Sequence, residues 1–503
     1  MQDFDVIITC SGLGSRLSPI TNYMNKALIK IGDEAIISKI INSYPNGTRF
    51  IVTLGHLKEQ ILNYISVCHQ NTNVEFIEID DYSSDESSLL YSLSKTFDLI
   101  DKPFYYNACD TYIEEFNKFE RNTALISKTF IGNQYRKVNE FIEDAPAEAG
   151  EMCYTGVCYI KDIDKFKTIT NELLKTKSNQ LSDAHVIQRM GVDFFVTQSW
   201  NDIGNFISLD HTNSKFDNKI CVLNKDNQET YFCDNKIIKF FSDNNKVKKL
   251  YERHLELKNC VPICKTKDQF IYYDFIQGET LSYVLTNDLL NSFLDWCEKN
   301  LWVKSDYIND GFFDNFYIAK AKERVDMFLN KHDHTLTCPQ EINFRKVDDI
   351  YDLINSIPSH FKNKSIFCVA HGDLVFENVI LTQNGFKLID WREGFITNIG
   401  DKLYDIAKMK HNLIFDHNII KKEKYFLKIE DGSCLFDPCI SDKNINLLKE
   451  LNRWCEKTNI DIKLIDLIVS LIQISSSGVH AGKESSLLFY MGWYNLNKVL
   501  KNE

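Results

Sequence analysis

The sequence predicts an α/β fold class with two successive domains. Over the first 110 residues, short apolar strands alternate with helices, which is typical of a doubly wound, mostly parallel sheet. After about residue 217, short strands follow one another with a single helix among them, which indicates a small antiparallel lobe. Residues 280–503 are mainly helical in pattern, and 503 residues are too many for one core. We therefore predict a doubly wound domain followed by a two-lobed α+β domain.

The first domain is predicted element by element from its apolar runs. Each short apolar run that ends in a polar turn predicts a strand, and helical periodicity between two such runs predicts a helix. Strands are expected at Asp5–Cys10, Phe50–Leu54, Val74–Ile79 and Phe104–Cys109, and helices at Ala35–Ser43, Leu57–Val67 and Ser88–Leu99. Strands at Ala124–Phe130 and Met152–Ile160, a helix at Ile163–Lys175 and a last helix between Trp200 and Lys215 complete the domain, at residues 1–217.

The second domain is predicted to span residues 218–503, with a small lobe at 218–276 and a helical lobe at 277–503. The small lobe has predicted strands at Lys219–Leu223, Thr230–Cys233, Lys236–Phe241 and Phe270–Phe275, and a helix at Asn245–Asn259. A hairpin from Glu377 to Ile389 is predicted in the helical lobe, because Asn384-Gly385 is a strong two-residue turn signal.

Composition restricts the classes of partner. The formal net charge is −12, which argues against nucleic acid and anionic membranes as partners. No apolar run approaches the roughly 20 residues that span a bilayer, so membrane insertion is not expected. The 15 cysteines are scattered, mostly within apolar runs, and no secretion signal is visible. We expect a reduced, cytoplasmic protein whose oligomeric state the sequence does not define.

The most informative motif runs from His371 to Trp391. His371-Gly372-Asp373 is followed by Asn378 and, after the hairpin, by Asp390. Asp373 is a candidate catalytic base for an attacking hydroxyl, and Asn378 and Asp390 are candidate ligands for Mg²⁺ on ATP phosphates. The hairpin is expected to bring Asn378 and Asp390 side by side, although 12 residues separate them. The sequence therefore predicts phosphoryl transfer from ATP to a small molecule.

This motif resembles the aminoglycoside phosphotransferase and choline kinase family, whose fold is protein-kinase-like. The resemblance implies that Lys239 pairs with ATP phosphates and that Glu252, on the following helix, holds the lysine. Lys236 and Glu256 remain alternatives for these two positions. Tyr273 and Phe275 resemble the hinge beside adenine.

Further along the chain, Gly400-Asp401 and Asp405 resemble the acids that support the catalytic loop of that family. They are expected to be structural and not catalytic.

A glycine loop follows the first strand. Gly12, Leu13, Gly14 and Ser15 allow backbone N–H groups to approach phosphates, and Arg16 adds a bidentate phosphate donor. Lys26 supplies a second cation ten residues later. The loop is not a P-loop, because no Gly-Lys-Ser/Thr follows it. It is not a dinucleotide fingerprint either, because Leu17 occupies the third glycine position.

Gly12 to Thr21 together with Lys26-Ala27-Leu28 closely resembles the signature of nucleotidyltransferases that act on sugar 1-phosphates and phosphocholine. The resemblance implies that the loop, Arg16 and Lys26 bind the nucleoside triphosphate and act in catalysis. It also implies that Asp110 and Asp202, the latter in Trp200-Asn201-Asp202-Ile203-Gly204, hold Mg²⁺.

Three positions depart from the nucleotidyltransferase pattern. Asn25 replaces the usual proline, Cys109 replaces a glycine, and the Gly-Thr of sugar-specific members is absent. The run Glu86 to Leu93 is closer to the Ser-Leu-Tyr pattern of phosphocholine cytidylyltransferases.

Together the two resemblances predict a bifunctional enzyme. ATP phosphorylates a small alcohol, and a second nucleoside triphosphate, with CTP favoured, couples the phosphate ester to a nucleoside monophosphate and releases pyrophosphate. The expected product is a nucleotide-activated precursor such as CDP-choline for a surface polysaccharide or lipid. The alternative is a sugar 1-kinase joined to a sugar-1-phosphate uridylyl- or guanylyltransferase.

Five aromatic residues of the helical lobe bear on the choice of alcohol. Trp391, Trp454, Tyr490, Trp493 and Tyr494 could form a box for a quaternary ammonium, although aromatic residues in helices more often belong to the core. A further hypothesis is that one domain is inactive and serves in binding or assembly. The presence of all five predicted metal and base residues argues against it.

Overall fold

The computed structural model describes residues 2–84, 87–176, 178–216, 227–307, 309, 311–332, 339–416, 419–420, 422–430, 432–480 and 482–501. The chain divides into two compact units. Unit 1 comprises Met1–Val247 and Lys265–Phe275, and unit 2 comprises Lys248–Cys264 and Ile276–Glu503. The predicted boundary near residue 217 and the predicted strand Lys219–Leu223 lie outside the described residues.

Unit 1 alternates strands and helices in its first half and gathers antiparallel strands in its second. Its strands are Asp5–Thr9, Lys30–Ile31, Glu34–Ala35, Arg49–Leu54, Asn73–Glu78, Phe104–Ala108, Thr111–Ile113, Thr123–Lys128, Arg136–Val138, Ile142–Pro146, Met152–Ile160, Asp193–Val196, Trp200–Asp202, Gln228–Cys233, Lys236–Phe241 and Phe270–Asp274. Its helices are Ile36–Ser43, Lys58–Cys68, Leu89–Ser94, Ile163–Leu174, Asp183–Met190 and Phe206–Asn213. Short 3₁₀ turns occupy Ser15–Leu17, Ile20–Asn22, Lys26–Leu28 and Phe97–Leu99.

Among the described residues, the central sheet of unit 1 has nine strands, and its first four in sequence are parallel. Asp5–Thr9 lies in the middle, between Arg49–Leu54 and Phe104–Ala108, with Val6 opposite Phe50 and Tyr105. Asn73–Glu78 extends the sheet beyond Arg49–Leu54. The predicted parallel arrangement is confirmed for these strands. Their carboxyl ends share one edge of the sheet, where ligands bind in open α/β folds.

The other side of the sheet is mostly antiparallel. Met152–Ile160 pairs with Phe104–Ala108 and with Thr123–Lys128, and Arg136–Val138 and Ile142–Pro146 continue outward. Asp193–Val196 pairs in parallel with Thr123–Lys128. The outer strands were not predicted, because their residues are polar and Pro146 suits only an edge position. The sheet is thus mixed, with a parallel half.

The strands after residue 227 form a separate antiparallel sheet within unit 1. Lys236–Phe241 pairs with Gln228–Cys233 on one side and with Phe270–Asp274 on the other, and Cys264–Lys267 completes the order. Side chains of this sheet join the hydrophobic core formed by the first strands and helices; they are Tyr231, Cys233, Ile238, Phe240 and Phe270. The hydroxyl of Tyr231 donates to the carbonyl oxygen of Leu28 at 2.8 Å.

Unit 2 is mainly helical. Its helices are Leu281–Val284, Asn287–Trp296, Ala319–Lys331, Ile350–Asn355, Ser359–Lys362, Lys402–Ile414, Asp442–Lys457, Ile462–Ser477 and Gly482–Leu500, to which helix Asn244–Leu257 contributes its residues from Lys248 onward. π-helical turns occupy Cys297–Leu301 and Phe313–Ile318, and a 3₁₀ turn occupies Phe376–Asn378. Its short strands are Glu279–Thr280, Glu341–Ile342, Arg345–Lys346, Phe367–Cys368, Val379–Thr382, Gly385–Leu388, Gly400–Asp401, Phe426–Glu430 and Ser433–Asp437.

Two long helices form the centre of unit 2. Ile462–Ser477 is buried on nearly every face, and Gly482–Leu500 packs along it. A Cβ at Gly492 would lie 2.9 Å from the carbonyl oxygen of Ser470, so glycine permits the close approach of the two backbones. None of the helices described in either unit is long and apolar enough to cross a bilayer.

Candidate active sites

The glycine loop of unit 1 turns at the carboxyl end of the first strand. Gly14 has φ +65°, a left-handed conformation, and a Cβ there would lie 2.9 Å from Cγ2 of Thr21. The hydroxyl of Thr21 donates to the carbonyl oxygen of Gly14 at 3.1 Å. Side chains larger than hydrogen are therefore excluded at Gly14. Gly12 has open space around it, so its role is not one of packing.

Both predicted cations of this site lie next to Asp110. Lys26 Nζ pairs with Asp110 Oδ2, and Arg16 Nη2 lies 3.9 Å from the same oxygen. The Lys26 side chain is 11% exposed and the Arg16 side chain 59%. Lys26 is thus fixed inside the site, while Arg16 reaches toward solvent from the loop.

A two-stranded ribbon brings Asp202 to Asp110. Trp200–Asp202 pairs antiparallel with Thr111–Ile113, so that Asp202 lies opposite Thr111, and the N–H of Ile203 donates to the carbonyl oxygen of Asp110 at 2.9 Å. A Cβ at Gly204 would lie 3.2 Å from Asp202 Oδ2 and 3.4 Å from Asp110 Oδ2. The two carboxylates therefore converge on one point, which only a glycine leaves open.

The two carboxyl groups have opposite electrostatic environments. Burial acts to raise the pKa of Asp110, but Lys26 and Arg16 outweigh it and hold that pKa below its ordinary value. Burial and the nearby Asp110 raise the pKa of Asp202 above its ordinary value. The hydroxyl of Tyr135 donates to Asp202 at 2.7 Å and the N–H of Gly204 at 2.9 Å. Tyr135 was not predicted, because it is 67 residues away in sequence.

This pair of acids fits Mg²⁺. The ion commonly takes one or two carboxylates and completes its octahedron with water and substrate phosphates. The described residues contain no group of three or more His, Cys, Asp or Glu side chains that could enclose a metal. A divalent cation at this site would therefore depend on the nucleotide for further ligands.

Asn25, which replaces the proline usual in the resembled family, is a structural tether. Its Oδ1 accepts from the N–H of Ala27 at 2.9 Å, and its Nδ2 donates to the carbonyl oxygens of Cys10 and His56 at 3.3 and 2.6 Å. Its backbone N–H donates to Gln60 Oε1 at 2.8 Å. Proline could make none of these bonds, and together they fix the position of Lys26.

The second site lies in unit 2 on a β-hairpin. Val379–Thr382 pairs with Gly385–Leu388, with Val379 opposite Leu388, and the N–H of Ile389 donates to the carbonyl oxygen of Asn378 at 2.9 Å. Asn378 and Asp390 therefore flank the open end of the hairpin, as predicted. The turn itself differs: its two linking residues are Gln383 and Asn384, and Gly385 begins the return strand at φ +104°.

Asp373 is held from two sides. Lys408 Nζ lies 2.7 Å from Asp373 Oδ1, and Asn378 Nδ2 donates to the carbonyl oxygen of Asp373 at 2.9 Å. The Asp373 side chain is 37% exposed, so a substrate can reach it. Burial acts to lower the pKa of Lys408, but Asp373 outweighs it and the net pKa lies above its ordinary value. Lys408 was not predicted, because no local motif marks a lysine within helix Lys402–Ile414.

The loop that carries Asp373 is anchored by buried acids. Asp405 Oδ2 accepts from the N–H of His371 at 2.8 Å and Oδ1 from the N–H of Gly372 at 2.7 Å. Asp401 accepts from the N–H of Ile366 and of Leu403, each at 3.0 Å. Burial raises the pKa of both carboxyl groups to about 6. These contacts agree with the structural role predicted for Asp401 and Asp405.

His371 is buried and neutral. Burial lowers its pKa to about 4, and Nε2 lies 3.0 Å from the carbonyl oxygen of Ile389. A carbonyl oxygen only accepts, so Nε2 carries the proton. Nδ1 then accepts from the N–H of Asp373 at 3.3 Å. His371 thereby links the loop that carries Asp373 to Ile389, which follows strand Gly385–Leu388.

Arg253 is a buried anchor that the sequence did not reveal. Its guanidinium donates to the carbonyl oxygens of Ala370 and, at 2.6 Å, Asn398, and it pairs with Glu256 at 2.7 Å. Glu256 is therefore engaged by Arg253, whereas Glu252, on the same helix, is exposed.

Lys239 and Tyr273 lie in the antiparallel sheet of unit 1, and Phe275 directly follows its strand Phe270–Asp274. Lys239 is half-buried in strand Lys236–Phe241, and Lys236 forms an ion pair with Asp234 at 2.9 Å. Tyr273 is buried, and Phe275 is exposed. The pairing of Lys239 with Glu252 stays a prediction.

The five aromatic residues considered for an ammonium box are mostly core residues. Trp391, Trp454, Tyr490 and Trp493 are each buried, and Tyr494 is half-buried. The indole N–H of Trp391 donates to the carbonyl oxygen of Leu250, and that of Trp493 to Asp348, both at 2.8 Å. Their exposed fraction leaves no aromatic surface of the kind that surrounds a quaternary ammonium.

Comparisons with known proteins give partial matches. No protein-family model matches the chain. A segment of 74 residues, 14% of the chain, is 38% identical to the Bifunctional protein GlmU of Methanococcus maripaludis and 36% identical to that of Methanococcus vannielii. The aligned segment spans only 17% of the length of these relatives.

Among solved structures, the chain is similar to the CTP:phosphocholine cytidylyltransferase of Streptococcus pneumoniae, with 18% identity, a TM-score of 0.38, and coverage of 42% of this chain and 99% of the other. It is also similar to the inositol-1-phosphate CTP transferase of T. maritima, with 17% identity, a TM-score of 0.33, and coverage of 42% and 96%. A putative glucose-1-phosphate thymidylyltransferase of Bacillus anthracis aligns at 17% identity and a TM-score of 0.35, over 44% of this chain and 98% of its own.

Proposed function

We propose that the chain is a bifunctional transferase. Unit 2, with the predicted small lobe, phosphorylates a small alcohol with ATP, and the first domain couples the resulting phosphate ester to a nucleoside monophosphate, with CTP favoured. The observation that carries the proposal is the convergence of Asp110 and Asp202 beside Lys26, Arg16 and the glycine loop. The product is a nucleotide-activated building block; the alternative is an NDP-sugar made by a sugar 1-kinase and a uridylyl- or guanylyltransferase.

In the nucleotidyl transfer, an oxygen of the phosphate ester attacks the α-phosphorus of the triphosphate. A P–O–P bond forms, and the bond to pyrophosphate breaks. Both reactants are anions, so the site must offset their repulsion. Asp110 and Asp202 would hold Mg²⁺, which supplies Lewis-acid charge at the phosphates. Lys26, which pairs with Asp110, would be available to a phosphate oxygen when a cation is held there, and Arg16 would meet the same group from the loop.

In the phosphorylation, the hydroxyl oxygen of the acceptor attacks the γ-phosphorus of ATP and ADP departs. Asp373 accepts the hydroxyl proton, and Lys408 holds the carboxylate in place. Asn378 donates through its nitrogen to the carbonyl oxygen of Asp373, so its amide oxygen, together with Asp390, would hold Mg²⁺. Asp405 and Arg253 fix the backbone from Ala370 to Gly372, so that Asp373 keeps its position relative to the hairpin.

Domain-selective substitution tests the proposal. Asp373→Ala should lower ATP-dependent phosphorylation by about 10²–10⁴, the usual value of a general base, and leave nucleotidyl transfer from supplied phosphate esters intact. Asp110→Ala should do the reverse. Mass spectrometry of the products measures both reactions. ATP with a panel of alcohols reports phosphorylation, and each of the four nucleoside triphosphates with phosphocholine and hexose 1-phosphates reports nucleotidyl transfer. Absence of nucleotide-linked product with every pair, or equal loss of both activities in each variant, contradicts the assignment.

A further inference from the structure

Two cations lie over one aromatic ring in unit 2. Lys320 Nζ is 5.6 Å from the centroid of the Phe316 ring, and Arg392 Cζ is 5.3 Å from the same centroid. The Phe316 ring in turn contacts Tyr404 at a centroid distance of 5.2 Å. Phe316, Lys320 and Tyr404 also line a small pocket with Leu471 and Ile472. We call Lys320 and Arg392 the cation pair.

The cation pair is next to the candidate base. The N–H of Arg392 donates to the carbonyl oxygen of His371 at 3.1 Å, and a Cβ at Gly372 would lie 2.7 Å from Cβ of Arg392. Arg392 therefore packs directly against the residue before Asp373. On the other side, Tyr404 lies one helical turn before Lys408, whose ammonium contacts Asp373.

The cation pair has no acid of its own among the described residues. No carboxylate of that part of the chain lies within 4.0 Å of Lys320 or Arg392, although both are partly buried. Arg392 Nε donates to the carbonyl oxygen of Gly394 at 2.6 Å, which does not offset its charge. Two cations near the same ring repel each other, and no carboxylate within 4.0 Å offsets that repulsion among the described residues.

The ionisation of neighbouring groups agrees with this crowding. Tyr404 acts to raise the pKa of Lys320, but burial and the cations Arg392, Lys408 and Arg324 outweigh it and hold that pKa below its ordinary value. Burial acts to raise the pKa of Tyr404, but Lys320, Lys408 and Arg392 outweigh it, and the net pKa is also lowered. Both shifts indicate a local positive potential beside Asp373.

We propose that the acceptor of the phosphorylation is an alcohol that carries a permanent anionic group, a carboxylate or a phosphate ester, and that the cation pair binds this group. The inference rests on the proposed kinase function and specifies its substrate class. The anionic group stays unchanged while the hydroxyl oxygen takes the γ-phosphoryl group, its proton passes to Asp373 and ADP leaves. The cation pair disfavours a quaternary ammonium acceptor, because its positive charge would be repelled by Lys320 and Arg392.

The acceptor is identified directly by its mass. The full chain is incubated with a deproteinised metabolite extract, Mg²⁺ and ATP labelled with ¹⁸O in the γ-phosphoryl group. The formula of each labelled product, less the transferred phosphoryl group, gives the acceptor. An acceptor with a carboxylate or a phosphate ester is expected. Phosphorylation of glycerate and of glycerol 3-phosphate, each compared with that of glycerol, then shows which of the two anionic groups the site prefers. A neutral or cationic acceptor overturns the inference but leaves the kinase function standing. Absence of any labelled product overturns the proposed kinase function, and the inference with it.

Substitution of the cation pair tests the role of its charges. Lys320→Met should lower kcat/KM for the identified acceptor at least about tenfold, mainly through KM, because the lost interaction is present in both ground and transition states. The matched control is Lys322→Met, on the same helix and away from Phe316, which should change kcat/KM less than about twofold. Arg392→Lys should retain more activity than Arg392→Met. Equal effects of the Lys320 and Lys322 variants overturn the assignment.

Discussion

Replacement of Arg253 by methionine is expected to destabilise unit 2 strongly. The Arg253 side chain is completely buried and forms three charged contacts, with Ala370, Asn398 and Glu256. Ala370 is itself buried, so its carbonyl oxygen would lose its donor without access to water. Loss of one member of such a buried charged network costs about 3–5 kcal/mol. Methionine fills part of the volume, so the loss is one of hydrogen bonds and charge.

Urea denaturation followed by tryptophan fluorescence measures this cost, because five of the six tryptophans belong to unit 2. With a urea dependence of roughly 2–3 kcal/mol per M for a unit of this size, the midpoint should fall by about 1–2 M. Glu256→Gln is the matched control. Glu256 is 31% exposed and glutamine keeps an acceptor oxygen, so this variant should cost less than Arg253→Met. If the Arg253 midpoint lies within about 0.3 M of the control, the network does not hold the loop that carries Asp373 as described.

Two further predictions concern unit 1. Gly204→Ala places a methyl group 3.2–3.4 Å from the carboxylates of Asp202 and Asp110. Nucleotidyl transfer should therefore fall by about 10–100-fold and require more Mg²⁺, while phosphorylation is unchanged. Full nucleotidyl transfer activity would show that the two acids do not share a ligand. Burial raises the pKa of Asp183 to about 6, above its ordinary value of 3.8, so the folded state binds this proton more tightly, and the stabilisation is complete below pH 4 and lost as pH rises through 6. Asp183→Asn removes this pH dependence. The free energy of unfolding of the parent, measured by calorimetry relative to the variant, should fall by up to about 3 kcal/mol between pH 4 and pH 8, and a constant difference would contradict the assignment.

Local patterns predicted the elements whose partners are near in sequence. The hairpin after Asn378 and the parallel strands that end at Thr9 and Ala108 are dictated by apolar periodicity and turn residues, and both were found within one or two positions. Contacts between distant residues left no local signal. Tyr135 and Lys408 reach Asp202 and Asp373 only after folding.

Arg253 shows the limit of pattern-based inference most clearly. Helix Asn244–Leu257 has many charged residues, and such a composition usually marks a solvent-exposed surface. One of its charges is nevertheless completely buried, because backbone carbonyl oxygens of unit 2, 117 and 145 residues away, accept its hydrogen bonds. The exposed and buried charges of this helix have the same sequence appearance, and only the tertiary structure distinguishes them.

The sheet formed by residues 228–241 and 270–274 determines whether the two proposed activities can be physically separated. If Lys239 serves the kinase, a strand of that enzyme also completes the hydrophobic core of its neighbour, through Tyr231, Ile238, Phe240 and Phe270. A chain cut at residue 217 would expose the surface these side chains cover, at roughly 2 kcal/mol for each, a loss comparable with the whole stability of a domain. Neither proposed enzyme could then be released intact by cutting between the predicted domains, so mutations in this sheet should affect both proposed reactions at once.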